Sequence, residues 1–139
     1  MIALRSLTAG AVALSLIAPA ASQIMMDVAA PDVKIGLNGP DFDACGGVGK
    51  VVTADDAEGS VPVFNLTQAW RVRIDHLPPG TEVWMCETRD GWEGIVFPSH
   101  PHQKFGDCGV SLPVEAPKTY HGPCKSGWIN PKSVELIAG

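Results

Sequence analysis

The chain from Val33 onward predicts an all-β fold. Two observations carry that expectation: short apolar-alternating segments recur along it, and Gly, Pro and Asp separate them at close intervals. Four cysteines, Cys45, Cys86, Cys108 and Cys124, add the prospect of covalent staples. Strands are expected over Val33 to Leu37, Val48 to Thr53, Val61 to Leu66, Arg71 to Leu77, Glu82 to Thr88 and Glu93 to Pro98, with brief ones at Trp128-Ile129 and Val134 to Ile137.

The segments differ in what their patterns imply. In Arg71-Val72-Arg73-Ile74-Asp75 the alternation is clean, which places Val72 and Ile74 on a core face and the charged side chains in water. Val83-Trp84-Met85-Cys86 is apolar on both faces, as in a strand central to a small barrel. Between these two, Leu77-Pro78-Pro79-Gly80-Thr81 is a forced turn, because the prolines restrict the backbone and Gly80 tolerates a tight reversal. Arg89-Asp90-Gly91 carries the Asp-Gly hairpin signature, from which Trp92 to Phe97 returns across the sheet.

The amino terminus has a different character. Arg5 precedes an apolar run of roughly 11 residues, Leu7 to Ile17, and then Ala18-Pro19-Ala20-Ala21, the order of a secretory signal peptide over residues 1–21 with cleavage after about residue 20 to 22. The run is short for a bilayer span and no second apolar segment reaches that length, so no transmembrane segment is expected. Residues 22–32 are weakly patterned and read as a flexible leader, leaving 33–139 as a single domain. The mature chain of about 118 residues suits one domain.

Without Arg5 the mature chain holds nine Lys and Arg against fifteen Asp and Glu, about −6. Nucleic acid is a poor partner for it, since no basic stripe is present to neutralise phosphates. An even cysteine count in an exported chain implies two disulfides with three possible pairings. Cys108 with Cys124 is favoured because the short loop between them lacks obvious regular structure, and Cys45 with Cys86 because that bridge ties the amino-terminal arm to the middle of the sheet. A staple around the shorter loop stabilises by about 3 kcal/mol in the chain-entropy account. The segment 98–123 carries Pro98, Pro101, Pro113, Pro117 and Pro123 and is long for an uncovered loop, so it is expected to be an insertion closed by that bridge. Cys108 to Val114 is a candidate for a short additional strand within it.

The order Thr81-x-Val83-x-x-Cys86-x-x-x-Asp90-Gly91-Trp92-x-x-Ile95-Val96, followed by Gly127-Trp128-Ile129-x-x-x-x-Val134-Glu135-Leu136-Ile137, resembles the bacterial SH3-like domain family. The likeness covers about Val48 to Ile137. The cysteine-bearing pieces around Cys45, Cys108 and Cys124 resemble an exported subgroup from Gram-negative bacteria. It implies a small SH3-like barrel, here with a long disulfide-closed insertion before the last strands, a short 3₁₀ turn before the final strand, and a periplasmic or secreted location. Two departures bear on function. Val63-Phe64-Asn65-Leu66-Thr67 stands where many members have Val-Arg-x-Gly-Pro-Ser, and Ser133 lies where polyproline-binding relatives have a Tyr. A polyproline groove needs aromatic walls.

For chemistry the chain offers little. His100-Pro101-His102 is the most ligand-like pair, but two loop histidines without a defined third ligand are ordinary surface, and no metal or cofactor is expected. No serine lies in a nucleophile elbow, and Asp55-Asp56 and the Glu87 and Asp90 carboxylates fall in turns, where solvation and capping are their usual work. Trp92 and Trp128 each follow a glycine, and the two rings either flank a shallow groove with Tyr120 as a third wall or cover the core. The expected function is a non-catalytic binding module of the cell envelope that recognises peptidoglycan or a protein partner. A structural or inhibitory domain acting through the 98–123 insertion, and a small secreted hydrolase, are the alternatives.

Overall fold

The computed structural model describes residues 28–52 and 59–139; the expected signal peptide and the first part of the leader lie outside them. Among the described residues nine strands form: β1 Lys34–Ile35, β2 Gly47–Val51, β3 Val61–Phe64, β4 Arg73–Leu77, β5 Glu82–Arg89, β6 Trp92–Phe97, β7 Lys118–Thr119, β8 Lys125–Ile129 and β9 Val134–Ala138. Short 3₁₀ turns occupy Phe105–Cys108 and Pro131–Ser133. Among the described residues no helix is long and apolar enough to cross a membrane.

The domain is all-β, but the expected closed SH3-like barrel is not what forms. Seven antiparallel strands lie in the order β4-β3-β8-β6-β5-β2-β9, and β1 pairs with β7 in a separate two-stranded sheet. Both sheets are open. The larger one ends at β4 and β9, each hydrogen-bonded to a single neighbour in it. The physical reason is a second apolar surface. Strands β5 and β6 are apolar on both faces, and a sheet of that kind needs cover on each side. One face packs Val61, Val63, Val83, Ile95, Phe97 and Ile129 into the main core. The other places Trp84, Cys86 and Val96 against Ile35, Cys45, Cys108 and Tyr120, so the small sheet and the insertion form a second layer.

Turn chemistry behaves as the residues dictate. Asp90 and Gly91 both take positive φ, 53° and 78°, as a two-residue hairpin with the sheet's own twist requires. Gly80 sits at φ 93°, and the Thr81 N–H and Oγ1 both donate to the Pro78 carbonyl, at 3.2 and 2.6 Å. At Asn130 the side-chain oxygen accepts from the Lys132 N–H at 3.0 Å, which caps the last 3₁₀ turn before β9.

The alternation across Val72 misleads. A register shift between Val63 and Phe64 breaks the β3–β4 ladder. Beyond it the Asn65 side-chain oxygen takes the Val72 N–H at 2.7 Å, and Val72 is exposed while Ile74 packs against the core. Strand β4 therefore starts at Arg73.

The cysteines pair as Cys45–Cys86 and Cys108–Cys124. The first bridge fixes the segment before β2 to β5. The second closes the insertion, which forms the 3₁₀ turn and β7 in place of a strand at Cys108 to Val114. Tyr120 clasps that loop: its hydroxyl donates to the Cys108 carbonyl at 2.8 Å and accepts from the Cys124 N–H at 3.1 Å.

Residues 28–33, most of them assigned to the leader, run along the outer face of the large sheet. The Ala29 carbonyl accepts from Asn65 Nδ2 at 2.9 Å, Asp32 pairs with Arg89 at 2.7 Å, and the Val33 carbonyl accepts from the Tyr120 N–H at 2.8 Å. Immediately after them, the Lys34 N–H donates to Glu87 at 2.8 Å. Val33 is completely buried. It lands over Gly94, where an added Cβ would come within 3.1 Å of both Val33 Cγ1 and Trp128 Cζ3. Glycine at 94 is thus a packing requirement of the arm.

Candidate functional site

The outer face of β3, β8, β6 and β5 carries a layer of rings and guanidinium groups. Register explains it. Phe64 lies opposite Trp128, Trp128 opposite Gly94, and Arg89 opposite Trp92, so these side chains emerge on one side of the sheet. Phe64 and Trp92 meet edge to face with centroids 5.5 Å apart. The guanidinium of Arg89 lies 4.8 Å from the Trp128 ring, and that of Arg71 lies 5.0 Å from Phe64 and 4.6 Å from Trp92. Each cation sits within cation–π range of its rings.

The two halves of this layer differ in access. Trp128 is completely buried beneath Val33 and Arg89, and its indole Nε1 has no hydrogen-bond partner. Trp92, at the hairpin end, is half-buried. Tyr120 is buried at the disulfide loop and belongs to the second core cluster. The structure thus brings Trp92 and Trp128 onto one face, without an open groove between them, and does not bring Tyr120 to them. The arm fills the space that two exposed rings would have flanked.

Two residues outside the expected set, Phe64 and Arg71, meet Trp92 at the open end, and a third, Trp70, precedes Arg71 in the chain. Trp70 is 73% exposed in the loop between β3 and β4. One signal in the sequence could have found it. Gln68-Ala69-Trp70-Arg71 places a large ring in a stretch that no apolar alternation claims. The loop is held from within by the Arg71 N–H, which donates to the Gln68 carbonyl at 3.1 Å, and is tied to the β5–β6 turn by Thr67 Oγ1, which donates to Asp90 at 2.9 Å.

The acidic groups beside this layer have separate tasks. Glu87 accepts from Arg89 Nε at 2.7 Å and from the Lys34 N–H, so it locks the arm to β5. Burial lowers the Arg89 pKa, but hydrogen bonds to Asp32 and Glu87 outweigh it and hold the group above its ordinary value. On the core face Glu93 is buried, hydrogen-bonded to Thr88 Oγ1 at 3.1 Å. Burial, then the charge of Glu87, pushes its carboxyl pKa up against the opposing Thr88 hydrogen bond.

Glu93 therefore contributes a pH dependence of defined sign. Below the ordinary carboxylate range folded and unfolded chains both hold the proton. As pH rises from there through the raised folded pKa, the unfolded chain sheds its proton first, and stability falls. Glu93→Gln is expected to remove that fall, so the wild-type and variant curves of denaturation midpoint against pH diverge over this window. Parallel curves would show that Glu93 does not titrate differently in the fold.

His100 and His102 are exposed in the insertion, and among the described residues no three His, Cys, Asp or Glu side chains gather into a metal-holding group. Clefts exist elsewhere. One of about 410 Å³ lies beside Tyr120, lined by Ile35, Val114, Lys118 and His121 among others. Another of about 390 Å³ runs under the arm between Val28, Pro31, Ile74 and Lys125. The open end of the ring layer presents the Phe64 and Trp92 rings around the Arg71 guanidinium.

Fold and site together define a two-disulfide, two-layer all-β domain with an aromatic and cationic face. No family model matches the chain, and no curated protein or solved structure matches it either.

Proposed function

We propose that this protein is a non-catalytic binding module of the cell envelope, exported to the periplasm or beyond, which recognises peptidoglycan or an envelope protein through Trp70, Arg71, Phe64 and Trp92. The observation that carries the reading is the exposed Trp70 and, next to it in the chain, an arginine whose guanidinium is stacked on two other rings. Exposing a tryptophan to this extent forgoes burial of a large apolar surface, and aromatic and arginine side chains in combination are the usual energetic centre of a recognition surface. Two disulfides suit the oxidising compartment that the amino-terminal order implies. The Asp90-Gly91-Trp92 and Gly127-Trp128-Ile129 motifs that resemble exported bacterial SH3-like proteins enter this reading as a kinship of motifs, without a closed barrel.

The test is retention of the immobilised mature domain's partners from a solubilised envelope fraction, alongside co-sedimentation of the domain with purified sacculi. Trp70→Ala is expected to lower capture about tenfold or more. Its unfolding free energy should stay within about 0.5 kcal/mol of the wild type, as is usual for an exposed side chain. Undiminished capture by Trp70→Ala would refute the assignment of this face.

A further inference from the structure

Two arginines in the same layer are built alike and finished differently. Arg89 lies on the Trp128 ring and has its donors occupied: Nη1 to Asp32 at 2.7 Å, Nε to Glu87 at 2.7 Å, and Nη2 to Glu87 at 2.6 Å. Arg71 lies on Phe64 and Trp92 but, among the described residues, forms no ion pair. Its Nε is buried without a hydrogen-bond partner, and its Nη1 reaches only the Gln68 carbonyl at 3.3 Å. The nearby carboxylate of Asp90 is engaged by Thr67 Oγ1. A guanidinium held by ring faces has little freedom left to lose, and its planar fork matches a carboxylate in two parallel hydrogen bonds.

We infer that Arg71 is a carboxylate-receiving site, and that the ligand of the Trp70 face presents a free peptide carboxylate to it. Asp32 on Arg89 shows the arrangement within this same molecule: a carboxylate brought in by an extended segment and bound to an arginine that rests on an indole. At Arg71 the ligand supplies the carboxylate that none of the described residues provides. The exposed Trp70 ring offers the adjoining residue of that ligand an apolar surface. A terminal carboxylate of this kind is carried both by the stem peptides of peptidoglycan and by the carboxyl terminus of a protein; the shared chemistry is the carboxylate next to a small peptide unit.

This inference rests on the binding face proposed above, and its test separates the two. The intact mature domain is titrated, with tryptophan fluorescence as the readout, against an acetylated alanine tripeptide with a free carboxyl terminus, the same peptide amidated, and a purified peptidoglycan stem tetrapeptide. The acid is expected to bind ten- to a hundredfold more tightly than the amide, with affinity falling as salt rises. Arg71→Gln and Arg71→Lys are expected to abolish that preference, the lysine because it keeps the charge but loses the fork. Tighter binding of the stem peptide than of the alanine acid assigns the carboxylate to peptidoglycan, and the reverse order assigns it to a protein terminus.

Equal binding of acid and amide by the wild type, or binding of neither, overturns the inference whether or not the variants fold. So does an acid preference that survives in Arg71→Gln. If envelope capture still depends on Trp70 in those cases, the binding face stands and only its carboxylate chemistry fails.

Discussion

Replacing Trp128 by alanine is expected to lower the free energy of unfolding by about 3 to 5 kcal/mol. The ring has no exposed surface and lies between the sheet and the arm, so its removal leaves a cavity on three sides at once. Gly94 cannot fill the space, Val33 loses the surface it rests on, and Arg89 loses the ring beneath its guanidinium. The loss approaches the whole stability of a marginal domain, which is commonly 5 to 15 kcal/mol or so. Trp128→Phe should cost much less, because it keeps most of the apolar volume and deletes an indole N–H that is buried without an acceptor. Urea denaturation of the three proteins checks the order. Equal stability of Trp128→Ala and wild type would mean that the arm does not pack on this ring.

The second large effect is expected at the Cys45–Cys86 bridge. It joins residues separated by 41 positions, against 16 for Cys108–Cys124. Chain-entropy reasoning gives about 4 kcal/mol for the longer loop and about 3 kcal/mol for the shorter. Packing widens the difference. Cys45 is buried, and it and Ala44 donate their N–H groups to the Val110 and Leu112 carbonyls, both at 3.1 Å, so the bridge ties the insertion to β5 through this segment. A Cys45→Ala, Cys86→Ala protein should therefore lose more stability than a Cys108→Ala, Cys124→Ala protein, which retains the Tyr120 clasp. Denaturant midpoints under oxidising conditions would decide the order, and a larger loss at the shorter loop would contradict it.

Much of the fold was legible because its signals were local. The Asp90-Gly91 and Pro78-Pro79-Gly80 turns follow from backbone preferences at those residues alone, and strands β5 and β6 from unbroken apolar runs. Legibility failed where distant segments meet. Apolar residues on both faces of β5 fitted the middle of a small barrel, yet they equally specify a strand that is covered on its second face. The cover comes from the arm and the insertion, which the sequence presents as its least patterned parts. Val72 was misplaced for a related reason, since a side chain, Asn65, replaces the ladder hydrogen bond that alternation takes for granted.

The site shows the same division. Trp92 and Trp128 share a Gly-Trp motif, but one lies at a hairpin end and the other under Val33, and nothing in either motif distinguishes them. Tyr120, expected as a third wall beside them, instead uses its hydroxyl to hold the Cys108–Cys124 loop. Burial keeps that phenol protonated to higher pH than usual, against the opposing Cys124 hydrogen bond, consistent with a donor that holds the loop. Arg71 looked like the solvated first residue of a strand. Its stacking on two rings depends on the register shift at Phe64 and was invisible to alternation.

The four tryptophans give the most direct measurement of the binding face. In a ¹⁵N-labelled sample, each indole N–H yields its own signal, and all four rings have assigned places: Trp70 exposed, Trp92 half-buried against Phe64, Trp84 stacked on Phe105 with its Nε1 donating to the Phe105 carbonyl, and Trp128 buried. On titration with solubilised peptidoglycan fragments or the captured envelope protein, the signals of Trp70 and Trp92 should move while those of Trp84 and Trp128 stay within the spread of non-contacting residues. Movement centred on Trp84 or Trp128, with Trp70 unchanged, would contradict a binding face at Trp70, Arg71, Phe64 and Trp92.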